Sequence, residues 1–317
     1  VIGRIGDDGQ LVIEGADGAP VVDMPMNVLL GKPPRMHRDV RHVERLLPAF
    51  EGAGLNLEQC ALDVLRHPTV ASKSFLITIG DRTVGGMNSR DSMVGPWQVP
   101  VADCAVTLIS FDGYAGEAMA IGERTPLAVI DAAAASRIAI GEALTNIAAA
   151  DVALQRVKIS ANWMAACGTD GEDAKLFDAV RAASELCEAL GISVPVGKDS
   201  LSMKTAWRDD GTDKTVVAPV SLIASAAAPV GDVRRSLTPQ LVADNETLLI
   251  LIDLGTGRNR MGGSILAQVT QQIGNDAPDL DQPSKLSAFV DAMRHLQREG
   301  YVLAYHDRSD GGLFATL

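Results

Sequence analysis

The fold is decided by residues 95–147, which contain the segments GPWQVPVADCAV at 95–106, PLAVID at 126–131 and IGEALTNI at 140–147. Three of its side chains carry ligand oxygens, and these are Asp103, Glu142 and Asn146. Far downstream, HDRSDGG at residues 306–312 adds a fourth, Asp307. Carboxylate and amide oxygens are the donors that Mg²⁺ uses when it bridges phosphate groups. We therefore expect these four side chains to form a magnesium–nucleotide site, with the rest of the chain as its scaffold.

Glu142 and Asn146 are four positions apart, so their side chains share one face of a predicted helix. The surrounding face is Ala, Ile and Leu, which predicts that this helix is mostly buried. A buried carboxylate is unfavourable unless it is paired or bound to a metal. A pair at this spacing is nevertheless common at a solvated helix edge, so the spacing alone leaves both interpretations open.

Asp103 and Asp307 have weaker local signals. Asp103 falls between two predicted strand pieces, where a ligand would be held rigidly, although aspartates in loops mostly cap or turn. Asp307 and Ser309 are two positions apart and share one side of a predicted extended segment. Asp310 precedes two glycines and suits a helix N-cap, near which phosphate binds. That capping role explains Asp310 but not Asp307.

Two glycine-containing motifs miss the known phosphate-loop patterns. GKDS at residues 197–200 ends like a P-loop, but Asp199 stands where Ser or Thr should follow the lysine. The glycines at 255, 257 and 262 miss the dinucleotide-binding spacing. Lys198 could still reach a phosphate, although a solvated lysine is the commoner case. His306 could transfer a proton, although a lone histidine at a strand end is more often structural.

The composition is that of a globular protein, with 47% apolar and 21% charged residues. Its net charge of −12 argues against a nucleic-acid partner, since phosphate neutralisation needs clustered Lys and Arg. The four cysteines lack zinc-ligand spacing, and no apolar run reaches transmembrane length. We expect a cytoplasmic protein without a membrane partner.

Strand and helix patterns alternate along the chain, which predicts a mixed α/β or α+β fold. The predicted helices cover residues 38–50, 56–65, 132–149, 174–190, 265–273 and 283–298. The predicted strands cover residues 75–79, 99–101, 105–109, 127–130, 156–161, 194–196, 215–227, 247–253 and 301–305. Residues 31–34 are expected to break the chain, and residues 80–82 to form a tight turn.

Six motifs resemble, in the same order, those of the large single-chain phosphoribosylformylglycinamidine synthases. They are VGPWQVPVADCAV at 94–106, IGERTPLAVID at 121–131, GEALTNI at 141–147, SANWMAA at 160–166, PVGKDSLSMKT at 195–205 and HDRSDGGL at 306–313. The resemblance runs from about residue 25 to the C-terminus.

The resemblance implies an ATP-dependent carbon–nitrogen ligase of purine biosynthesis. In that reaction, ammonia derived from glutamine converts formylglycinamide ribonucleotide to its amidine, with release of ADP and phosphate. ATP or ADP and Mg²⁺ are the implied cofactors. Carried over by motif, the nucleotide contacts fall on Ala102 and Ser309. The magnesium ligands fall on Asp103, Glu142, Asn146 and Asp307.

The resemblance also implies a domain plan. Residues 1–37 would be the tail of a preceding synthetase half, 38–66 a helical linker, 67–229 a PurM (AIR-synthetase-like) N-terminal domain, and 230–317 the start of a truncated PurM-like C-terminal domain. The chain is expected to be an internal piece that is inactive alone. Its implied partners are the missing synthetase half and the glutaminase domain, besides the small-molecule substrates.

The sequence leaves two alternatives open. This half could bind nucleotide as a structural element without turnover, which ADP retained through purification would favour. The chain could instead be another ATP-using member of the same fold, against which the segments SANWM at 160–164 and GKDSLSMKT at 197–205 argue.

Overall fold

A short hairpin forms the first of two compact units, which divide between Val40 and Arg41. The computed structural model describes residues 2–32, 37–80, 82–83, 85–244 and 246–317. Strand β1 (Gln10–Glu14) pairs antiparallel with β2 (Pro20–Pro25), and helix α1 (Met26–Leu29) follows. The predicted break at 31–34 and the predicted turn at 80–82 fall partly outside the described residues, at Pro33, Pro34 and Asp81.

The second unit carries the remaining elements. Its helices are α2 (Leu57–Arg66), α3 (Ser74–Ile79), α4 (Ala132–Ile147), α5 (Glu172–Leu190), α6 (Ile265–Val269), α7 (Pro283–Arg298) and α8 (Gly312–Thr316). Short 3-10 helices cover Thr125–Val129, Leu154–Arg156 and Val233–Arg235. Its strands are β3 (Ala105–Leu108), β4 (Gly116–Glu123), β5 (Lys158–Met164), β6 (Ser193–Ser200), β7 (Lys204–Asp209), β8 (Thr212–Val217) and β9 (Ser221–Val230).

Five of these strands form one sheet in the order β3-β4-β9-β5-β6, and β7 and β8 form a separate two-stranded ribbon. Neighbours in the large sheet are antiparallel except β5 and β6, which are parallel. Side chains alternate between its two faces, so that Ala118 and Ala120 of β4 are buried while Met119 and Ile121 are exposed. The buried face supports the main hydrophobic core.

Helix α4 covers that buried face. It begins at the N-cap residue Asp131, whose Oδ1 accepts a hydrogen bond from the backbone N–H of Ala134 at 2.9 Å. Its alanines favour the helical conformation and let it approach the sheet closely. At Gly122 of β4, a Cβ would lie 2.0 Å from the carbonyl oxygen of Ala139. This glycine is therefore what allows α4 to pack directly on β4.

The structure confirms the predicted mixed α/β class and the three long helices that the sequence predicts. The helices predicted at 132–149, 174–190 and 283–298 correspond to α4, α5 and α7. The predicted strand at 156–161 corresponds to β5, shifted by two residues at its start. Helix α2 begins as predicted after Asn56, whose side chain accepts a hydrogen bond from the backbone N–H of Gln59.

The predicted helical linker is only half helical. Residues 57–66 form α2, but the described segment 38–53 contains no helix. Within the second unit, Val43 of this segment packs against Gly171 without regular structure. A Cβ on Gly171 would meet the Val43 side chain at 3.1 Å. Apolar spacing compatible with a helix is therefore not sufficient here, because tertiary contacts decide the conformation.

Several predicted strands are wrong. The run at 75–79 lies in α3, because a short apolar run carries no periodicity that separates a strand from a helix. The run at 127–130 lies largely in a 3-10 helix, whose first turn holds Pro126 with its fixed helical φ. The single strand predicted at 215–227 is interrupted near Pro219, which has no N–H to donate to a sheet.

The runs at 99–101, 247–253 and 301–305 also form no strand. In the first, only an isolated bridge joins Val101 to Met93. In the second, the side chains from Leu248 to Ile252 are half or more exposed. In the third, the N–H of Tyr305 donates to the carbonyl of Thr238 at 3.0 Å, but no ladder extends from that bond. No helix in the described part of the chain combines the length and apolar character of a membrane span.

Candidate functional site

Asp103 lies just before β3, and its carboxylate forms the centre of the candidate site. The side chain is only 1% exposed. Its Oδ1 accepts hydrogen bonds from His306 Nδ1 at 2.7 Å and from the backbone N–H of Asp307 at 3.0 Å. Its Oδ2 is buried and has no hydrogen-bond partner among the described residues. Two segments more than 200 positions apart thus meet at one carboxylate.

Helix α4 supplies the second carboxylate, Glu142. Its Oε2 accepts a hydrogen bond from the backbone N–H of Glu123 at 2.8 Å, and its Oε1 accepts one from the Ser309 hydroxyl at 2.5 Å. Glu123 ends β4, so the close packing of α4 on that strand is what brings the two residues within hydrogen-bond distance. Glu142 is therefore held by its own sheet on one side and by the C-terminal segment on the other.

One helical turn further along α4, Asn146 faces the same strand. Its Nδ2 donates to the backbone carbonyl of Ile121 at 2.9 Å. Because the amide nitrogen is used in this way, the side-chain carbonyl oxygen is the atom that could serve as a ligand.

The electrostatics of Asp307 show that these carboxylates share one environment. Burial, then the negative charges of Asp103 and Glu142, raise the pKa of the Asp307 carboxyl to about 7, and the nearby His306 opposes the shift. The hydrogen bond to Asp103 in turn raises the pKa of His306. Negative charge is thus concentrated where little solvent reaches it, an arrangement that a bound cation would stabilise.

The remaining predicted contacts differ in how they relate to this cluster. Ser309 joins it through Glu142. The N–H of Ala102 already donates to the carbonyl of Ser92 at 2.8 Å, so only its carbonyl and methyl groups remain for a ligand. Lys198 is exposed on β6, and no hydrogen bond or ion pair joins it to these carboxylates within the described part of the chain.

One ion pair at the edge of the site could not be predicted from the sequence. Arg124 Nη1 donates to Asp310 Oδ1 at 2.6 Å. Burial lowers the pKa of Arg124, but the charges of Glu142 and Asp310 outweigh it and leave that pKa above its ordinary value. The predicted capping role of Asp310 is wrong, since Gly311 is the N-cap residue of the five-residue α8 and no side chain caps it. No local pattern links positions 186 residues apart.

The donor chemistry of the cluster fits a divalent cation. Asp103, His306 and Asp307 each offer one ligand atom within 4.8 Å of the others. The buried and unpartnered Oδ2 of Asp103 is the clearest indication, because an ionised oxygen without a partner is unfavourable away from water. Carboxylate and amide oxygens suit Mg²⁺ in particular. The structure therefore brings Asp103 and Asp307 together, and Glu142 is near enough for its charge to raise the pKa of Asp307. The role of all three as metal ligands stays a prediction.

Comparison with known proteins matches about half of the chain to a family model. Residues 72–229 match the model of the FGAR-AT PurM_N-like domain. The second unit thus contains a PurM-like, N-terminal-type domain within a mixed α/β fold. Residues 72–229 are accordingly related to a domain of phosphoribosylformylglycinamidine synthase.

Solved structures show similarity at low identity. Thermotoga maritima PurL complexed with ATP is 18% identical, with a TM-score of 0.43 over 70% of this chain and 32% of that one. The same protein complexed with FGAR is 15% identical, with a TM-score of 0.49 over 94% and 38%. Thiamine monophosphate kinase from Aquifex aeolicus is 12% identical, with a TM-score of 0.30 over 60% of each chain. This chain spans about a third of the PurL length.

Proposed function

We propose that this chain contributes a magnesium–nucleotide site to an ATP-dependent carbon–nitrogen ligase of purine biosynthesis. The reaction would convert formylglycinamide ribonucleotide and glutamine-derived ammonia to formylglycinamidine ribonucleotide, with release of ADP and phosphate. The match to the FGAR-AT domain supports the choice of reaction. The observation that carries the site is the buried Asp103 carboxylate, which leaves Oδ2 unpartnered beside Asp307.

Four side chains would hold Mg²⁺: Asp103 through Oδ2, Asp307, Glu142, and Asn146 through its carbonyl oxygen. When bound, the ion would neutralise charge on the phosphate oxygens of the nucleotide. Ala102 and Ser309 would contact the nucleotide itself. The protein's own contribution is rigid placement, because Glu142 is fixed by Glu123 and Ser309 before any ligand arrives.

In the proposed domain plan, residues 1–37 are the tail of another synthetase half and residues 38–66 are a linker. Residues 67–229 are the PurM N-terminal-like domain, and residues 230–317 are the start of a PurM C-terminal-like domain. In that plan the substrates are formylglycinamide ribonucleotide, ATP and ammonia. The partners are a second synthetase half and a glutaminase domain, and the setting is the cytoplasm.

Calorimetry on the natural full-length protein tests the nucleotide site. Asp103→Asn and Glu142→Gln keep size and shape but remove a ligand charge, so each should weaken Mg–ATP binding by about tenfold or more. Asp213→Asn is the matched control, because that side chain is 91% exposed on β8. Affinity for Mg–ATP that stays unchanged in both site variants would rule the assignment out.

Nucleotide exchange and turnover, measured on the same full-length protein, distinguish a catalytic role of the site from a structural one. A catalytic site should exchange its nucleotide and lose turnover in step with affinity when Asp103 is changed. ADP that survives purification and does not exchange with added ATP would instead assign this half a structural role, with turnover located elsewhere.

A further inference from the structure

His306 lies in the metal-binding cluster, but its contacts differ from those of a ligand. We infer that His306 is a positioning residue that fixes the Asp103 carboxylate with Oδ2 open toward the divalent cation, and that it does not bind the cation itself. The inference rests on the proposed function, since it concerns the same magnesium site.

The hydrogen bonds on Asp103 are divided unevenly between its two oxygens. Oδ1 accepts both available bonds, from His306 Nδ1 at 2.7 Å and from the Asp307 N–H at 3.0 Å. Oδ2 is buried and accepts none within the described residues. Two donors on one oxygen prevent the carboxylate from rotating, so the second oxygen has a single fixed direction. A ligand oxygen held in this way is ready for a cation before the cation arrives.

Two hydrogen bonds from Tyr305 hold the segment that carries these donors. The Tyr305 hydroxyl donates to the carbonyl of Thr145 on α4 at 2.9 Å. The Tyr305 N–H donates to the carbonyl of Thr238 at 3.0 Å. The residue next in sequence is His306, so its imidazole approaches Asp103 from a fixed backbone rather than from a free loop.

The distances from the His306 ring to the two carboxylates would allow it to bind the cation. The position of the proton on that ring argues against this role. The ring approaches both carboxylates through Nδ1, at 2.7 Å from Asp103 Oδ1 and 3.9 Å from Asp307 Oδ1. An ionised carboxylate only accepts hydrogen bonds, so Nδ1 carries the proton in this contact. A protonated ring nitrogen has no lone pair for a metal. The lone pair stays on Nε2, but the ring approaches both carboxylates through Nδ1 and not through Nε2. The nitrogen that faces the cluster is therefore a donor to the ligand.

This assignment also determines which metals the site accepts. With His306 as a donor, the ligands are oxygens from carboxylates and one amide, a set that favours Mg²⁺ or Mn²⁺. With His306 as a ligand, the mixed nitrogen and oxygen set would favour Zn²⁺ and similar ions. The two arrangements are therefore distinguishable by spectroscopy.

The test uses Mn²⁺ as a paramagnetic probe on the natural full-length protein. His306→Ala removes the donor and should weaken Mn²⁺ binding by about tenfold or more, as is typical when a residue that orients a ligand is lost. His306→Asn places an amide N–H near the position of Nδ1 and should restore most of the affinity. His295→Ala on the exposed side of α7 is the control and should bind Mn²⁺ like the parent. Pulsed electron paramagnetic resonance of the parent protein should show no directly coordinated imidazole nitrogen.

The outcomes separate this inference from the function on which it rests. A parent protein that binds no Mn²⁺, with or without ATP, would overturn both. A coordinated imidazole nitrogen in the parent, or His306→Asn binding as weakly as His306→Ala, would overturn the positioning role alone. If His306→Ala fails to fold, the nitrogen signal of the parent still decides between donor and ligand.

Discussion

Gly122 offers the sharpest test of how the fold builds the site. A Cβ added there would lie 2.0 Å from the carbonyl oxygen of Ala139 and 2.5 Å from the amide nitrogen of Ala143, both backbone atoms of α4. Ordinary contacts are about 3.5 Å or longer, so Gly122→Ala must move α4 away from β4 by roughly 1.5 Å. No rotamer change can relieve a clash between a Cβ and backbone atoms. We therefore expect a destabilisation of about 3 kcal/mol, at the upper end of the range for overpacked cores.

The same displacement should reach the site. Glu142 lies on α4 and accepts the N–H of Glu123 across this contact at 2.8 Å. A gap widened by more than 1 Å breaks a hydrogen bond of this length. Gly122→Ala should therefore weaken Mg–ATP binding as well as stability, although residue 122 is not among the predicted ligands.

Gly141 supplies the matched control, because it lies on α4 itself. A Cβ there would meet only the Leu280 side chain, at 3.9 Å. Since alanine favours a helix over glycine by about 0.5–1 kcal/mol, Gly141→Ala should be neutral or stabilising. Urea unfolding of the natural protein and its two variants measures both effects. If Gly122→Ala proves as stable as Gly141→Ala, close packing of α4 on β4 is not what the glycine provides.

Two further predictions concern buried charge. Asp151 is 2% exposed and pairs with three arginines, Arg235, Arg294 and Arg298. Asp151→Asn should lower the free energy of unfolding by about 2 kcal/mol. This is less than the loss expected for a fully buried pair, because the arginines are 34–45% exposed. A urea midpoint equal to that of the parent would contradict this. Asp307 has a folded pKa of about 7 against an ordinary 3.8, so the folded state holds its proton more tightly than the unfolded chain does. Without metal, stability should fall as the pH rises from about 4 through 7, by up to about 4 kcal/mol. Asp307→Asn should make stability, measured by thermal melts, depend less on pH over this range. If the stability of the variant falls as steeply with pH as that of the parent, the raised pKa of Asp307 is not the cause.

Much of the helical scaffold could be predicted because its signals are local. The alanine-rich run of α4 and the amphipathic run of α7 each favour a helix without help from distant residues. Short apolar runs are different. The sequence of α3 and the exposed run from Leu248 to Ile252 both read as strands, yet whether such a run pairs depends on a neighbour that local sequence does not specify.

The candidate site divides in the same way. Glu142 could be singled out because a carboxylate on a buried helix needs a partner, and that argument uses only side-chain type and helical spacing. Its partners could not be predicted. One is the backbone N–H of Glu123, a group that nearly every residue possesses, and another is the Ser309 hydroxyl from 167 positions away.

This difference explains why the orientation of the carboxylates is a property of the fold rather than of the motifs. Asp103 and Glu142 each accept one hydrogen bond from a backbone N–H and one from a side chain, His306 in the first case and Ser309 in the second. The side-chain donors both come from the segment 306–309, whereas the backbone donors come from that segment and from the end of β4. A motif search identifies the charged residues that could bind a cation. Only the packing of α4 on β4, which Gly122 permits, and the anchoring of Tyr305 determine whether their oxygens face one point in space.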